Sequence, residues 1–400
     1  MANARMLDDA REYLQAEDLP GWLIYDYLGC NPVLAQVAQP SGHVTRPVFL
    51  FVPVSGAPRL LTHHVDAGKF ADAGEGTDLE QVMYSSRVTL ESALRDTLSD
   101  CGRVAMEYSP RNGLPRVSRV DAGTVELVQS MGADVVSSAD LMQYATQRWS
   151  PDQLAGHKRA AGKLGRIVNE AFARIGQRLN QPGSGGPTEF EIAEFIRARF
   201  HEEGLVAADG PIVSTNAHCS DPHYEPAPEG SSVIAPGDWV LIDLWAREDT
   251  PGSVYADITW TAYVGDDPTD RHRQVFDIVL GARDAALSFL QESFSRGESI
   301  QGWQADDAAR SYISDHGFGD YFTHRLGHSI YHTVHGEGVN LDNFETHDTR
   351  RIIPGIGFSI EPGIYLPEFG VRSEIDAYMS EEGPYASSPV QRDIVLITVP

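Results

Sequence analysis

The chain has 400 residues, 42% of them hydrophobic, and sets 57 acidic against 31 basic side chains for a formal charge of −26. That length exceeds what one compact core usually organises, so two domains are expected. The acidity repels phosphate backbones and anionic membranes, which argues against nucleic acid and membrane as partners. No apolar run is long enough to span a bilayer. The start, MANARMLDDAREYLQ, carries acidic residues where a signal peptide has its apolar stretch, so a cytoplasmic location is the expectation. Cys30, Cys101 and Cys219 are too scattered for a disulfide framework or a zinc knuckle and read as reduced structural thiols.

In chain order, GWLIYDYLG, PVFLFVPV and PRLLTHHV read as strands, LESALRDTLSD as a helix and RVAMEYS as a further strand. This alternation predicts an α/β domain over residues 1–149. Ser150 can then cap a helix with Pro151 at its first position and Gln153 closing a capping box, so a second domain is read over 150–400. Its first helix carries Leu164, Ile167, Val168, Ala171, Phe172, Ile175 and Leu179 at three- and four-residue steps, up to the loop QPGSGGP. Thr188 and Glu191 form another capping box ahead of Ile192, Phe195, Ile196 and Phe200, with Gly204 as the stop. A third helix carries Val275, Ile278, Val279, Ala282, Ala286 and Phe289. WVLIDLW, ITWTAYV, GFSIEPG, VRSEIDAYM and DIVLITV read as strands, so the second domain is helices laid on a sheet.

The informative anomaly is a set of acidic residues inside those apolar strand patterns. Asp243 lies within VLIDLW, Asp257 opens ITWT, Glu361 follows FSI and precedes Pro362-Gly363, and Glu374 sits beside Ile375. A carboxylate in such surroundings costs several kcal/mol unless it is neutralised, paired or bound to metal. His328, in LGHSI, adds an imidazole, and Gly327 before it allows close backbone approach. Two divalent cations would offset four carboxylate charges. Oxygen ligands with one histidine suit manganese first, with zinc or cobalt as alternatives. Two bridged metals activate water near neutral pH and polarise a scissile carbonyl, so amide hydrolysis is the expected reaction.

The order Asp, Asp, His, Glu, Glu and the strings YADITWT, GHSIYHTVH, SIEPGIY and VRSEID resemble the pita-bread metallopeptidases: aminopeptidase P, prolidase and methionine aminopeptidase. The resemblance implies a pita-bread catalytic domain of helices on a curved mixed sheet. The preceding α/β segment looks like the smaller amino-terminal domain that aminopeptidase P, prolidase and creatinase share, which favours the proline-directed branch. Carried over by residue, it makes Asp243 a ligand of one metal, His328 of the other, and Asp257 and Glu374 ligands of both. Glu361 becomes ligand and acid/base. His335, seven residues after His328, and His223, in DPHY, become substrate contacts near the reacting carbonyl. Tyr365 is a candidate oxyanion donor, and Arg372 an arginine near the substrate carboxylate or a ligand carboxylate.

Departures from the family pattern bear on pocket shape. Trp245 takes the usual glycine position after the first aspartate's neighbour, Trp260 stands where many members have arginine, and Tyr331 and His332 replace small or apolar residues. Outside the five ligands, His218 and His332 read as packed or surface histidines, and Arg350 and Arg351 as solvated. The expectation is a homodimeric Xaa-Pro dipeptidase acting on peptides with proline second. The alternatives are aminopeptidase P activity on longer peptides, metal-free creatinase-like hydrolysis, or a catalytically inactive binding module of the same fold. Retention of all five ligands argues against the last two.

Overall fold

The computed structural model describes residues 2–73, 78–181, 183 and 185–399. Within the loop read as QPGSGGP, Pro182 and Ser184 lie outside the described residues. The chain divides into two compact units, Met1–Arg148 and Trp149–Pro400.

In the first unit, β1 (Gly21–Asp26), β2 (Val48–Pro53), β3 (Arg59–His63), β4 (Glu80–Tyr84), β5 (Arg103–Met106) and β6 (Asp134–Ser137) form one mixed sheet in the order β4-β3-β2-β1-β5-β6. Alternate residues enter opposite cores, as a period of two requires. Trp22, Ile24, Leu50 and Val52 pack with α1 (Ala2–Ala16), α2 (Pro32–Ala38) and α5 (Ala139–Thr146). Leu23, Phe49, Phe51 and Leu61 pack with α3 (Arg87–Thr97) and α4 (Ala122–Gln129). Burial on both faces explains why PVFLFVPV is almost continuously apolar.

The second unit opens with α6 (Pro151–Leu179) and α7 (Glu189–Glu202), and the capping boxes at Ser150/Gln153 and Thr188/Glu191 are both formed. The sheet beneath them holds β7 (Leu205–Val206), β8 (Ile212–Thr215), β9 (Trp239–Glu248), β10 (Ala256–Val264) and, from the chain's far end, β17 (Val395–Ile397). The apolar stripe of α6 packs with Ile242, Leu244 and Ile258. A second core joins α8 (Asp270–Ser295) and α9 (Gly302–Asp315) to β12 (Gly357–Ile360), β13 (Gly363–Tyr365), β14 (Gly370–Arg372), β15 (Ile375–Ser380) and β16 (Gly383–Ala386), with Val279, Ala282, Phe358, Ile360 and Ala377 at its centre, while Ile330 of β11 (Ser329–Ile330) packs with Trp149, Tyr255 and Tyr378. The ordering β11-β12-β15-β16 makes a four-stranded sheet, and β13 pairs with β14 alone.

Two features depart from the sequence reading. VRSEIDAYM is not one strand: β14 turns to pair with β13 while β15 pairs with β12, and the break falls at Ser373–Glu374. Arg350 is not solvated. It is buried against Asp348, with Nη2 at 2.6 Å from Oδ2 and Nη1 donating to the Glu337 carbonyl at 2.8 Å, because a buried acid needs a paired cation.

Among the described residues the first unit also holds a wholly buried carboxyl, Glu107, just after β5. Trp22 Nε1, Asn31 Nδ2 and Ser138 Oγ donate to it at 2.6, 2.9 and 3.0 Å. Burial nevertheless pushes its pKa up to about 7. A folded pKa above the unfolded one favours the protonated native state, so this contribution is complete below the ordinary glutamate value and is lost as pH rises toward about 7. A shift of this size corresponds to roughly 3 kcal/mol. Glu107→Gln should therefore flatten the stability profile across that window, read as denaturation midpoints at successive pH values; an unchanged slope would remove Glu107 as its source.

Candidate metal centre

The β9–β10 ladder sets the floor of the site. Asp243 faces Thr259 and Trp245 faces Asp257 in register. Opposed residues of an antiparallel pair share a face, as do residues two apart, so these four side chains stand together while Ile242, Leu244 and Ile258 enter the core on the other side. The strand break brings in the next acid: Glu374 N–H donates to the Thr259 carbonyl at 3.1 Å, and Thr259 Oγ1 donates to Glu374 Oε2 at 2.8 Å.

His328 enters from the loop before β11. Its backbone is clamped to β12, with Ser359 N–H donating to the His328 carbonyl at 2.9 Å and His328 N–H donating to Ser359 Oγ at 2.9 Å. A Cβ on Gly327 would lie 2.0 Å from the Ser359 carbonyl oxygen, so this approach requires glycine. Ser359 Oγ in turn donates to Glu361 Oε1 at 3.0 Å. His328 Nδ1 donates to the Ser329 carbonyl at 3.2 Å, which turns Nε2 toward Glu361 Oε1 at 3.3 Å and Asp257 Oδ2 at 3.7 Å. Asp257, His328 and Glu374 each offer a ligand atom within 4.8 Å of the others. Asp243 and Glu361 line the same cavity, of about 580 Å³.

The electrostatics of this cluster fit a cation. Asp243 Oδ1, Asp257 Oδ1 and Glu374 Oε1 are buried without a hydrogen-bond partner. Burial, reinforced by Glu374, Asp243 and Asp376, holds Asp257 well above the usual carboxylate range. Glu374 is raised in the same way by burial, Glu361 and Asp243. Burial also raises Asp243 and Glu361, against the pull of Arg372 on both. Orphaned buried oxygens and an imidazole nitrogen aimed at carboxylates are a costly arrangement without positive charge between them.

Arg372 supplies part of that charge. Its Nη2 meets Asp243 Oδ2 at 2.5 Å, Nε donates to Thr259 Oγ1 at 3.1 Å and Nη1 donates to Tyr365 Oη at 3.2 Å. Of the two positions the resemblance allowed, Arg372 thus lies beside the carboxylate of Asp243, one of the expected ligands. Tyr365 is buried behind it. Because His324 Nδ1 donates to the Arg325 carbonyl at 2.6 Å, His324 Nε2 is the acceptor of the Tyr365 hydroxyl at 2.7 Å. That hydroxyl proton is committed to His324, which burial holds down to about 3 and therefore neutral. His223 and His335 are exposed on the cavity wall, and the His335 ring lies edge-on to His328 at 4.3 Å between centroids.

Three residues escaped sequence reasoning. Asp376, fully buried, accepts from Asp257 N–H at 3.0 Å and keeps Oδ1 unpartnered. An acid inside the apolar run of VRSEIDAYM was the signal. Glu189, fully buried at the start of α7, accepts from Thr215 N–H, Ser232 N–H and Tyr224 Oη at 2.6–2.7 Å and from His218, thereby anchoring the loop that carries His223. His324 had no local signal, since nothing in HRLGH separates a buried acceptor from a surface histidine.

The model of metallopeptidase family M24 matches residues 158–381, a stretch containing every one of these site side chains. The chain belongs to metallopeptidase family M24. Within the family it is similar to the probable dipeptidase PepE of Mycobacterium tuberculosis, 28% identical over 60% of this chain and 59% of that protein. It is also similar to the Xaa-Pro dipeptidase of Lactobacillus delbrueckii, 32% identical over 43% of this chain and 42% of that one. The matched stretch thus spans about three fifths or less of the length of these two relatives. In fold it is similar to the crystal structure of dipeptidase PepE from Mycobacterium ulcerans, with a TM-score of 0.73 and 23% identity, covering 100% of this chain and 98% of that one. Among the described residues, no helix is long and apolar enough to cross a membrane.

Protons and cations compete for the raised carboxylates, so cation binding should tighten as pH rises. Adding manganese to chelated protein should raise the melting temperature, and the increment should grow between about pH 5 and pH 8. At a hundredfold excess over Kd the stabilisation is about 2.7 kcal/mol. Glu374→Gln should remove most of the increment while leaving the chelated protein no less stable; a full increment in that variant would place the cation elsewhere.

Proposed function

We propose that this member of family M24 hydrolyses the peptide bond before proline, in Xaa-Pro dipeptides, with two divalent cations per subunit. The observation that carries the reading is the gathering of Asp243, Asp257, Glu361 and Glu374 with His328 in one cavity, three of the carboxylates keeping a buried oxygen without a hydrogen-bond partner. Asp243, Asp257, His328, Glu361 and Glu374 would hold the pair, manganese first. When bound, such a pair supplies Lewis acidity toward the carbonyl and lowers the pKa of the attacking water.

The protein side chains divide the remaining work. Glu361 Oε1, fixed by Ser359 Oγ, takes a proton from the attacking water and returns it to the proline nitrogen as the C–N bond breaks; its raised pKa suits both transfers. Arg372 holds Asp243 in place and neutralises part of the site's charge. His223 and His335 flank the reacting carbonyl from the cavity wall. Arg325, which lines the same cavity and is ion-paired with Glu345 at 3.1 Å, is the cation we assign to the dipeptide's carboxylate. Proline specificity draws its support from the resemblance and from the Xaa-Pro dipeptidase relative. The reading includes a homodimer and a cytoplasmic location.

Glu361→Gln should keep its fold and bind cations detectably while losing about 10²- to 10⁴-fold in turnover, because an amide cannot shuttle the proton. Near-normal turnover would reject the role. Matched assays of Xaa-Pro dipeptides and Xaa-Pro tripeptides decide the substrate length: faster cleavage of the tripeptides would move the assignment to aminopeptidase P.

A further inference from the structure

A second cavity of about 460 Å³ adjoins the site and shares Asp209, Ile212, Trp245, His223 and His335 with it. His335 bridges the two, since its ring also rests on His328. The cavity therefore opens beside His328 and the carboxylate cluster.

Its wall is built around a residue that the family pattern does not supply. Trp245, on the site face of β9 beside Asp257, holds its indole by two contacts. Nε1 donates to Asp209 Oδ1 at 2.9 Å. Gly210, at φ +72°, lies so close that an added Cβ would stand 2.5 Å from the indole ring. The aromatic face is thus fixed in position, and the buried Ile212 and Pro226 continue the apolar wall.

The charged groups of this cavity are unbalanced. Asp209 and Glu225 are exposed at it. Among the described residues, Arg197 is the cavity's one lining arginine or lysine, and its Nη1 already meets Glu194 Oε1 at 2.5 Å while Nε donates to the Gly210 carbonyl at 2.9 Å, so it offsets the two acids only in part. A long aliphatic stem ending in a cation fits a flat aromatic wall with carboxylates at its edge, through stacking over the indole and a charge-assisted hydrogen bond. An acidic side chain would meet Asp209 and Glu225 as like charges.

We propose that this second cavity receives the side chain of the residue before proline and selects arginine or lysine there, with Trp245 as the stacking surface and Asp209 as the anion. The proposal rests on the hydrolytic reading above and adds the identity of the first residue.

The test is kcat/KM for Arg-Pro, Lys-Pro, Leu-Pro, Glu-Pro and citrulline-Pro, with wild type and Asp209→Asn loaded with manganese. Citrulline keeps the shape of arginine without its charge. Arg-Pro should exceed citrulline-Pro by about tenfold or more, Glu-Pro should be slowest, and Asp209→Asn should lower Arg-Pro and Lys-Pro while sparing Leu-Pro. Trp245→Leu should reduce Arg-Pro and citrulline-Pro alike, separating stacking from charge. Equal rates for Arg-Pro and citrulline-Pro would overturn the proposal. An equal loss on Leu-Pro and Arg-Pro in Asp209→Asn would also overturn it, assigning the aspartate to the α-ammonium group. If none of the dipeptides is cleaved, the hydrolytic reading itself fails, a result distinct from cleavage without basic preference.

Discussion

The second unit is organised around the cost of burying like charges together. Asp243, Asp257, Glu361, Glu374 and Asp376 lie on neighbouring strands or at their ends, where burial and the nearby carboxylates raise the proton affinity of Asp257, Glu374 and Asp376. One buried guanidinium, Arg372, offsets part of this. The remaining imbalance is tolerable only when protons or metal cations fill it, so the site trades local stability for affinity. Its chemistry and its folding energetics are two consequences of that single arrangement.

The fold supplies rigidity where the electrostatics would otherwise disperse the side chains. Repulsion between carboxylates is resisted because β9 and β10 are locked in a long antiparallel register under α6, with the apolar partners of the acids interleaved into the core. The strand break at Ser373–Glu374 delivers a fourth carboxylate from another sheet, and two hydrogen bonds to Thr259 pin it. His328 is held by backbone bonds to β12 that only a glycine before it permits. Behind these groups, Ser359, Thr259, Tyr365 and His324 satisfy the outward-facing polar atoms. Asp243 Oδ1, Asp257 Oδ1 and Glu374 Oε1 are left buried without a hydrogen-bond partner.

Much of the site was legible because burial of charge leaves a mark in sequence. An acid within a run of valine, leucine and isoleucine announces a cost that must be offset, and that logic located Asp243, Asp257, Glu361 and Glu374. The same logic extends to Asp376, whose mark lies in the same string as that of Glu374. Glu189 drew no reading, since an acid in the first turn of a helix is ordinary and gives no sign of the loop it anchors. Arg350 looked solvated in HDTRR because its partner, Asp348, lies two residues away and a polar run gives no sign of burial. The roles of Arg372 and Tyr365 depended on hydrogen-bond partners over a hundred residues distant in one case and on a histidine tautomer in the other.

Local patterns in the chain by themselves determined the element types, both capping boxes, the presence of two units' worth of core and the identities of the acids under strain. These are decided by periodicity and by transfer free energy, which act residue by residue. Tertiary structure alone decided which acids face one another, where VRSEIDAYM breaks, that the Tyr365 proton goes to His324, and that Trp245 is wedged between Asp209 and Gly210 to wall a second cavity. Those outcomes turn on strand register and on side-chain partners distant in the chain, and neither leaves a trace in local sequence.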